Sequence, residues 1–440
     1  MESKKVLLAE PLIKNPIKKQ KNGKVADIGM RLGLAYLAGF LIDNCGKYDI
    51  IIKNYRFEEF LGNQRDLVHD LIGIDYLGIT ASSSEYPDAL KMAKQAKAMG
   101  CIVIMGGIYP SSNPKEVLNT GYVDYIIAGE GEHAFLSLLN ALSEQKLVNR
   151  IWTTGKNELI QNLDVLRPAY ELLPMNEYCK YIAAPIYSSR GCSGQCDFCT
   201  LNQHWLNTHR CRSVDNVLRE IRTLKEFGFT RINFKDESLT LDKNHAKQLF
   251  KALAQENFEL NFKCKTRIDG IDKELLNIMK DANFEEIHFG IETLDDSTLE
   301  LLHKNISKDE IIKKMELMLT MGFTINPSII LGNPGDTKES LKELADFIKN
   351  LYFTNPNKVK VYTCINTPHP GSVQYKKAKQ KGITIIDSDL NNYTNFCLVS
   401  VPSSLGSTEQ AIKIIAETQR DIVSSVNGPE PLININNFIK

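Results

Sequence analysis

The sequence predicts two α/β parts in one chain: a doubly wound parallel sheet over residues 1–150 and a partial (β/α)6 barrel of TIM type over residues 186–380. Three observations lead there. At 440 residues the chain is too long for one ordinary hydrophobic core. Short, continuous apolar runs alternate with stretches of helical period in both parts, the pattern of strands buried on both faces of a parallel sheet. Nearly every polar or glycine-rich motif follows directly on such a run, where open α/β sheets and barrels gather their ligands.

In the first part, Val6–Ala9, Tyr48–Ile52, Tyr76–Thr80, Cys101–Met105 and Tyr122–Ile127 read as strands. Gly33–Ile42 reads as an apolar helix, Pro87–Met99 as a helix opened by proline, and His133–Ser143 as the helix that completes the alternation. A further helical piece starts near Asn113-Pro114, and the lysine-rich stretch 12–25 reads as loop. The strand ends carry Thr80-Ala-Ser82-Ser83-Ser84, Gly106-Gly107-Ile-Tyr109-Pro110 and Gly129-Glu130-Gly131-Glu132. Small residues and free amides there suit a large amide- or phosphate-fringed ligand, although turn chemistry accounts for the glycines as well. Residues 151–185, with dispersed Lys, Asn, Glu and Pro, are expected to be a linker with little core of its own.

The second part supplies six strands: Ile182–Tyr187, Arg231–Phe234, Leu260–Cys264, Glu286–Gly290, Ile325–Leu331 and Lys358–Tyr362. Between them fall a helix from Ser213 to Gly228 and helices at Lys243–Gln255, Lys273–Ala282, Lys308–Met321 and Ser340–Asn350. Residues 381–440 form a short extension whose one helical stretch is Ser407–Val426.

Bulk numbers narrow the function. Lys+Arg and Asp+Glu both count 53, so no basic excess marks a nucleic-acid binder. No apolar run approaches the roughly 20 residues of a membrane helix. The first ten residues pass from charge to a strand pattern, unlike a secretory signal, and ten cysteines without one point to a reducing cytoplasm. Seven of the ten, Cys45, Cys101, Cys179, Cys211, Cys264, Cys364 and Cys397, are scattered and expected to be small buried hydrophobes.

The other three are not scattered. Cys192, Cys196 and Cys199 stand as CxxxCxxC within Ser188-Ser-Arg-Gly-Cys-Ser-Gly-Gln-Cys-Asp-Phe-Cys199. Thiolates suit iron, and three on one loop can hold three irons of a four-iron, four-sulfur cubane, leaving the fourth open to a chelating substrate. Three structural cysteines or a zinc site are the alternatives; a structural zinc wants four N/S ligands at paired spacing, and no second CxxC is present.

CxxxCxxC with an aromatic residue, Phe198, before its last cysteine resembles the signature of radical S-adenosylmethionine enzymes. His209–Ile221 resembles the segment after the cluster loop in the cobalamin-binding branch of that superfamily, and further matches run over roughly residues 30 to 380. Gly-Leu-Ala-Tyr-Leu-Ala, Gly-Gly-Ile-Tyr-Pro and Gly-Glu-Gly-Glu resemble the cobalamin-binding domain of that branch, which implies cobalamin contacts from Thr80, Ser82, Gly106, Gly107, Gly129 and Glu130. The Asp-x-His-x-x-Gly motif of methionine-synthase-type domains is missing, so the sequence names no cobalt ligand.

For S-adenosylmethionine the resemblance implies the following contacts. Asp236 or Glu237, where the family has Gly-Gly-Glu, would accept from the ammonium. Arg267 in Cys264-Lys-Thr-Arg-Ile-Asp269 would face the carboxylate, and Glu292 in Gly290-Ile-Glu-Thr293 the ribose or amine. Gly332-Asn-Pro-Gly-Asp-Thr337 resembles a turn at the adenine, and Thr367-Pro-His-Pro-Gly-Ser372 a motif near the last strand. Glu237 and Arg267 as a plain surface ion pair is the bland reading, and His204, His209, His288, His303 and His369 are expected in packing or solvent. The tail is too short for the RNA-binding barrel of methylthiotransferases, and the first domain lacks their cysteines.

The implied activity is reductive cleavage of S-adenosylmethionine to methionine and a 5′-deoxyadenosyl radical, followed by cobalamin-dependent methylation of an unactivated carbon in a small-molecule, natural-product or lipid precursor. A one-electron donor such as flavodoxin or ferredoxin is the expected partner. A cyclase or rearranging enzyme without methyl transfer is the alternative, and a non-catalytic iron-sulfur protein the alternative of another class.

Overall fold

Two sheets of six strands organise the computed structural model, which describes residues 3–13, 28–394 and 396–426. The lysine-rich loop from residue 14 and the Asn/Ile-rich end with Pro429 lie outside the described residues. The chain divides into two compact units, 1–185 with 200–213 and 222–229, and 186–199 with 214–221 and 230–440.

In the first unit the strands are β1 (Lys4–Glu10), β2 (Tyr48–Asn54), β3 (Tyr76–Thr80), β4 (Ile102–Gly106), β5 (Tyr125–Ala128) and β6 (Ile151–Thr153), all parallel in the order β2-β1-β3-β4-β5-β6. The apolar runs of the inner strands β1, β3, β4 and β5 are largely buried, with Leu8, Ile104 and Ile127 packed under Ala38 and Leu41 of helix Leu32–Asn44 and Leu138 and Leu139 of helix Glu132–Ser143. Strand order reverses beside β1, which puts the ligand crevice of such a sheet at the carboxyl ends of β1 and β3. The segment expected as a linker, 151–185, is instead built into this unit. It supplies β6 at the sheet edge and buries Leu159, Leu163, Leu166, Tyr170 and Tyr178, apolar positions too widely spaced to register as a periodic element.

In the second unit β7 (Ala184–Ile186), β8 (Arg231–Phe234), β9 (Asn261–Arg267), β10 (Phe284–Glu292), β11 (Thr324–Leu331) and β12 (Tyr362–Ile365) follow chain order across the sheet, a curled, half-barrel parallel sheet. Phe234, Phe262 and Phe284 stack at 5.4–6.0 Å over Phe250, forming the aromatic centre of this core. The last strand lies further along than Lys358–Tyr362. Only Val359 bridges to Ile325 there, because alternating lysines leave the run half-solvated, whereas Thr363-Cys-Ile365 is buried and pairs fully with β11. β9 and β10 each run beyond their expected ends, so Arg267 and Glu292 are their final residues.

The C-terminal extension is part of this unit. Strands Ile383–Ile385 and Ser400–Pro402 pair antiparallel, and helix Thr408–Ser425 packs on helix Lys338–Thr354. Ser407 caps it, accepting from Gln410 N while its own N–H donates to Gln410 Oε1. Among the described residues no helix is long and apolar enough to cross a membrane.

Candidate active site

The cysteine loop leaves the end of β7 and is held from beneath by an acid. Asp236, just past β8, is wholly buried and accepts from Ser188 N, Ser188 Oγ at 2.8 Å and Ser189 Oγ at 2.5 Å. Burial pushes its carboxyl above the ordinary value, against the pull of these hydroxyl donors. Asp236 therefore supports the loop, and the neighbouring acid faces it: Glu237 Oε2 accepts from Gly191 N at 3.1 Å. Ser238 extends the same turn to β9, accepting from Arg267 N at 3.1 Å.

Cys192, Cys196, Cys199 and Phe198 are all half-buried. Gly194 N donates to Cys192 Sγ at 3.3 Å, and burial raises the Cys192 thiol. Arg267 Nη1 lies 3.6 Å from Cys196 Sγ, and a Cβ on Gly194 would stand 3.1 Å from that nitrogen, so a side chain there would crowd the arginine. The guanidinium is forked onto Asp269 at 2.7–3.1 Å and donates to Lys304 O at 3.3 Å. Burial works against its charge, but Asp269 and the nearby thiols outweigh it and raise its pKa. The bland pairing of Glu237 with Arg267 is thus replaced by two separate contacts with the cysteine loop.

Sequence reasoning missed Lys304. Its ammonium is buried and lies 2.9 Å from Glu292 Oε1 and 3.3 Å from Gly290 O. Desolvation would neutralise it, but Glu292 first and then Cys196 hold it charged, with its pKa above the ordinary value. Glu292 has φ +65°, a conformation that costs a non-glycine residue about 1 kcal/mol or more, and its carboxylate folds over Gly290, where a Cβ would approach it to 2.0 Å. No motif signals a lysine that lies a dozen residues past a strand end and is buried only by the fold.

Cations beside thiolates fit an iron-sulfur cluster, whose ligands must be deprotonated. Gln374 fits too: among the described residues both polar atoms of its buried amide lack a partner, while its backbone N–H donates to Asp197 O inside the loop. Among the described residues no three His, Cys, Asp or Glu side chains converge on one ion, and thiolates binding separate corners of a cubane need not. Glu237, Arg267, Glu292 and Lys304 form an acid-and-cation set suited to an α-amino acid end group.

The Gly332–Thr337 turn is braced by Asp336, which accepts from Gly332 N and Asn333 N at 2.8–2.9 Å and is pushed up to about 7 by burial. The folded chain thus holds a proton that the unfolded chain releases above about 4, so this residue's contribution weakens as pH rises from about 4 to about 7. In Asp336→Asn that loss is removed, and its melting temperature gains on the parent's from pH 5 to pH 8.

In the first unit, Thr80 and Ser82 lie half-buried at the end of β3, with Ser82 Oγ 3.5 Å from Ser84 Oγ. Gly107, at φ +95°, has no room for a Cβ, which would meet Ala81 N and Thr80 Oγ1 at 2.8 Å. Gly129, at φ +99°, is tighter than Gly106: a Cβ there would stand 3.3 Å from Thr154, whereas one on Gly106, the last residue of β4, would meet Ile127 O at an ordinary 3.4 Å. Glu130, expected on the ligand face, is buried and committed elsewhere: it pairs with Arg210 at 3.1 Å and accepts from Ile160 N at 2.8 Å. A second missed group lies at the end of β1. Glu10 and Glu85, both buried, share Arg31 and Arg56, with Arg56 3.3 Å from Glu10.

Of the other cysteines, Cys101, Cys264 and Cys364 are buried as expected, whereas Cys45, Cys211 and Cys397, at element ends and loops, and Cys179, on helix Met175–Tyr181, are only half-buried. His288 is half-buried in β10 and pushed down to about 4 by desolvation, while His303 pairs with Asp197.

A doubly wound sheet followed by a half-barrel with a three-cysteine loop at its strand ends defines the class: a two-part enzyme with a metal cluster. The Radical SAM superfamily model matches residues 186–348 and the B12 binding domain model residues 22–139, and the chain belongs to the cobalamin-binding-domain branch of the radical SAM enzymes. That membership brings a 4Fe–4S cluster, S-adenosylmethionine and cobalamin as its cofactors. The chain is similar to an uncharacterized methyltransferase of Pyrococcus horikoshii, 29% identical over 84% of this chain and 82% of the relative. It is also similar to an anaerobic magnesium-protoporphyrin IX monomethyl ester cyclase of Synechocystis sp., 24% identical over 74% and 68%. Its fold is that of the radical S-adenosylmethionine methyltransferase TsrM from Kitasatospora setae, solved with cobalamin and a 4Fe–4S cluster bound (TM-score 0.74, 15% identity, 94% of this chain and 91% of that one).

Proposed function

We propose that this chain is a cobalamin-dependent C-methyltransferase that acts on an unactivated carbon of a small molecule. When bound and reduced, the cluster supplies the electron that cleaves S-adenosylmethionine to methionine and a 5′-deoxyadenosyl radical. Cys192, Cys196 and Cys199 hold it. Glu237 is the acceptor for the amino group of S-adenosylmethionine, because Asp236 is consumed beneath the loop. Arg267 and Lys304 receive its carboxylate, and Glu292, held by Lys304, turns towards the ribose. Thr80 and Ser82 offer hydroxyls to cobalamin. A flavodoxin- or ferredoxin-type protein of a reducing cytoplasm delivers the electron.

One observation carries this reading: acids and cations from the ends of three successive strands gather at the cysteine loop that follows a fourth. Anaerobic reconstitution with iron, sulfide and cobalamin, then incubation with dithionite and S-adenosylmethionine, tests it. Formation of 5′-deoxyadenosine together with S-adenosylhomocysteine that depends on cobalamin is the expected result. The similarity to the cyclase favours a second reading, which gives 5′-deoxyadenosine without S-adenosylhomocysteine. A non-catalytic iron-sulfur protein gives neither.

A further inference from the structure

We propose that Asp197, held by Lys381 and His303, is a positioning residue that fixes the cysteine loop in the shape that takes up and retains the cluster. The proposal rests on reading that loop as the cluster site.

Asp197 stands between Cys196 and Cys199. Its neighbours in the loop are half-buried, yet Asp197 is only 5% exposed. Its carboxylate lies 2.5 Å from Lys381 Nζ and 2.9 Å from His303 Nδ1, and its carbonyl accepts from Gln374 N at 2.9 Å. These anchors come from two remote stretches: His303 follows helix Asp296–Leu301, and Gln374 and Lys381 follow the last barrel strand. Lys381 also donates to Leu301 O at 3.4 Å, tying the two stretches together.

A buried carboxylate is tolerated only where its partner reaches it. The middle of the loop is therefore pinned at one spot before iron arrives, against the mutual repulsion of three thiolates. Hydrogen-bonding partners behind metal ligands typically change metal retention about 10- to 100-fold. The pair also places a balanced positive and negative charge beside the cluster, whose potential follows nearby charge.

The test uses the full, reconstituted chain and reads iron release to a chelator, cluster midpoint potential and melting of the cluster-free protein. Asp197→Asn and Lys381→Met are expected to release iron about tenfold faster than the parent, with Lys381→Arg close to the parent. Melting is expected to fall in Lys381→Met, which strands a buried carboxylate, and to stay near the parent's in Asp197→Asn, so faster iron release in Asp197→Asn is not a consequence of unfolding. The midpoint is expected to rise in Asp197→Asn, which leaves the lysine's charge uncompensated, and to fall in Lys381→Met, which leaves the carboxylate's. Iron retention within about twofold of the parent in both variants, or potentials shifted in the same direction, overturns the proposal. A parent chain that assembles no cluster overturns the reading of the loop itself.

Discussion

Replacing Cys192, Cys196 or Cys199 by alanine removes 5′-deoxyadenosine formation, with a fall of at least about a thousandfold, equivalent to about 4 kcal/mol. In the proposed reading each thiolate would hold one corner of the cluster, so losing any one would leave an iron without a protein ligand and a loop that no longer retains the group. The three side chains are half-buried and lie outside the hydrophobic core. Their truncation therefore changes folding stability by no more than about 1 kcal/mol. Cys179→Ala is the control: this residue is equally half-buried but lies on helix Met175–Tyr181 of the first unit, and it keeps full 5′-deoxyadenosine formation. Iron analysis beside the product assay separates the two explanations of a loss. Iron and product falling together support the ligand role; product formation persisting in any of the three variants removes it.

The strands were legible because a parallel sheet covered on both sides leaves an unbroken apolar run, as at Val6–Ala9 and Cys101–Met105. β6 was not, because an edge strand of three residues, Ile151-Trp-Thr153, half-exposed, needs no such run. Its place in the sheet comes from pairing with Ile126–Ala128, a long-range contact that local pattern does not carry. The last barrel strand misled for a related reason. Val359 and Val361 alternate with lysines like a strand, but the continuous ladder begins only at Tyr362 and the buried stretch at Thr363.

The site divides in the same way. Cys192, Cys196 and Cys199 are expected as ligands on their spacing alone, and the fold brings them together on one loop at the end of β7. Asp236 and Glu237 were not separable, since adjacent residues at a strand end point to opposite sides and only the fold decides which faces inward. Here the inner one binds two serine hydroxyls and the outer one the backbone of Gly191. Glu130 misled because Gly-Glu-Gly-Glu reads as a ligand loop, while the partner that claims it, Arg210, is 80 residues away. Glu10 is the mirror case: it ends an apolar strand and looks like a boundary, yet it is 1% exposed and bound by two arginines.

Lys304→Met separates structural from chemical work at the buried pair. Removing the ammonium strands Glu292, 6% exposed and already at φ +65°, without its counter-charge. Breaking such a pair from one side costs about 3–5 kcal/mol, so urea unfolding of the second unit moves to markedly lower denaturant. Replacing both partners, Lys304→Met with Glu292→Gln, removes the stranded charge and is expected to recover most of that loss. Binding of S-adenosylmethionine then distinguishes the roles. If Lys304 receives the cofactor's carboxylate, the double variant stays about 10- to 100-fold weaker in binding than the parent despite its recovered stability, the loss of one hydrogen bond to a charged group. If the lysine serves only to neutralise Glu292, stability and affinity return together. The parent's Arg267 cannot mask the result: its guanidinium is already forked onto Asp269, with only Nη1 directed at the cysteine loop, so it has no second fork to offer in place of the missing ammonium.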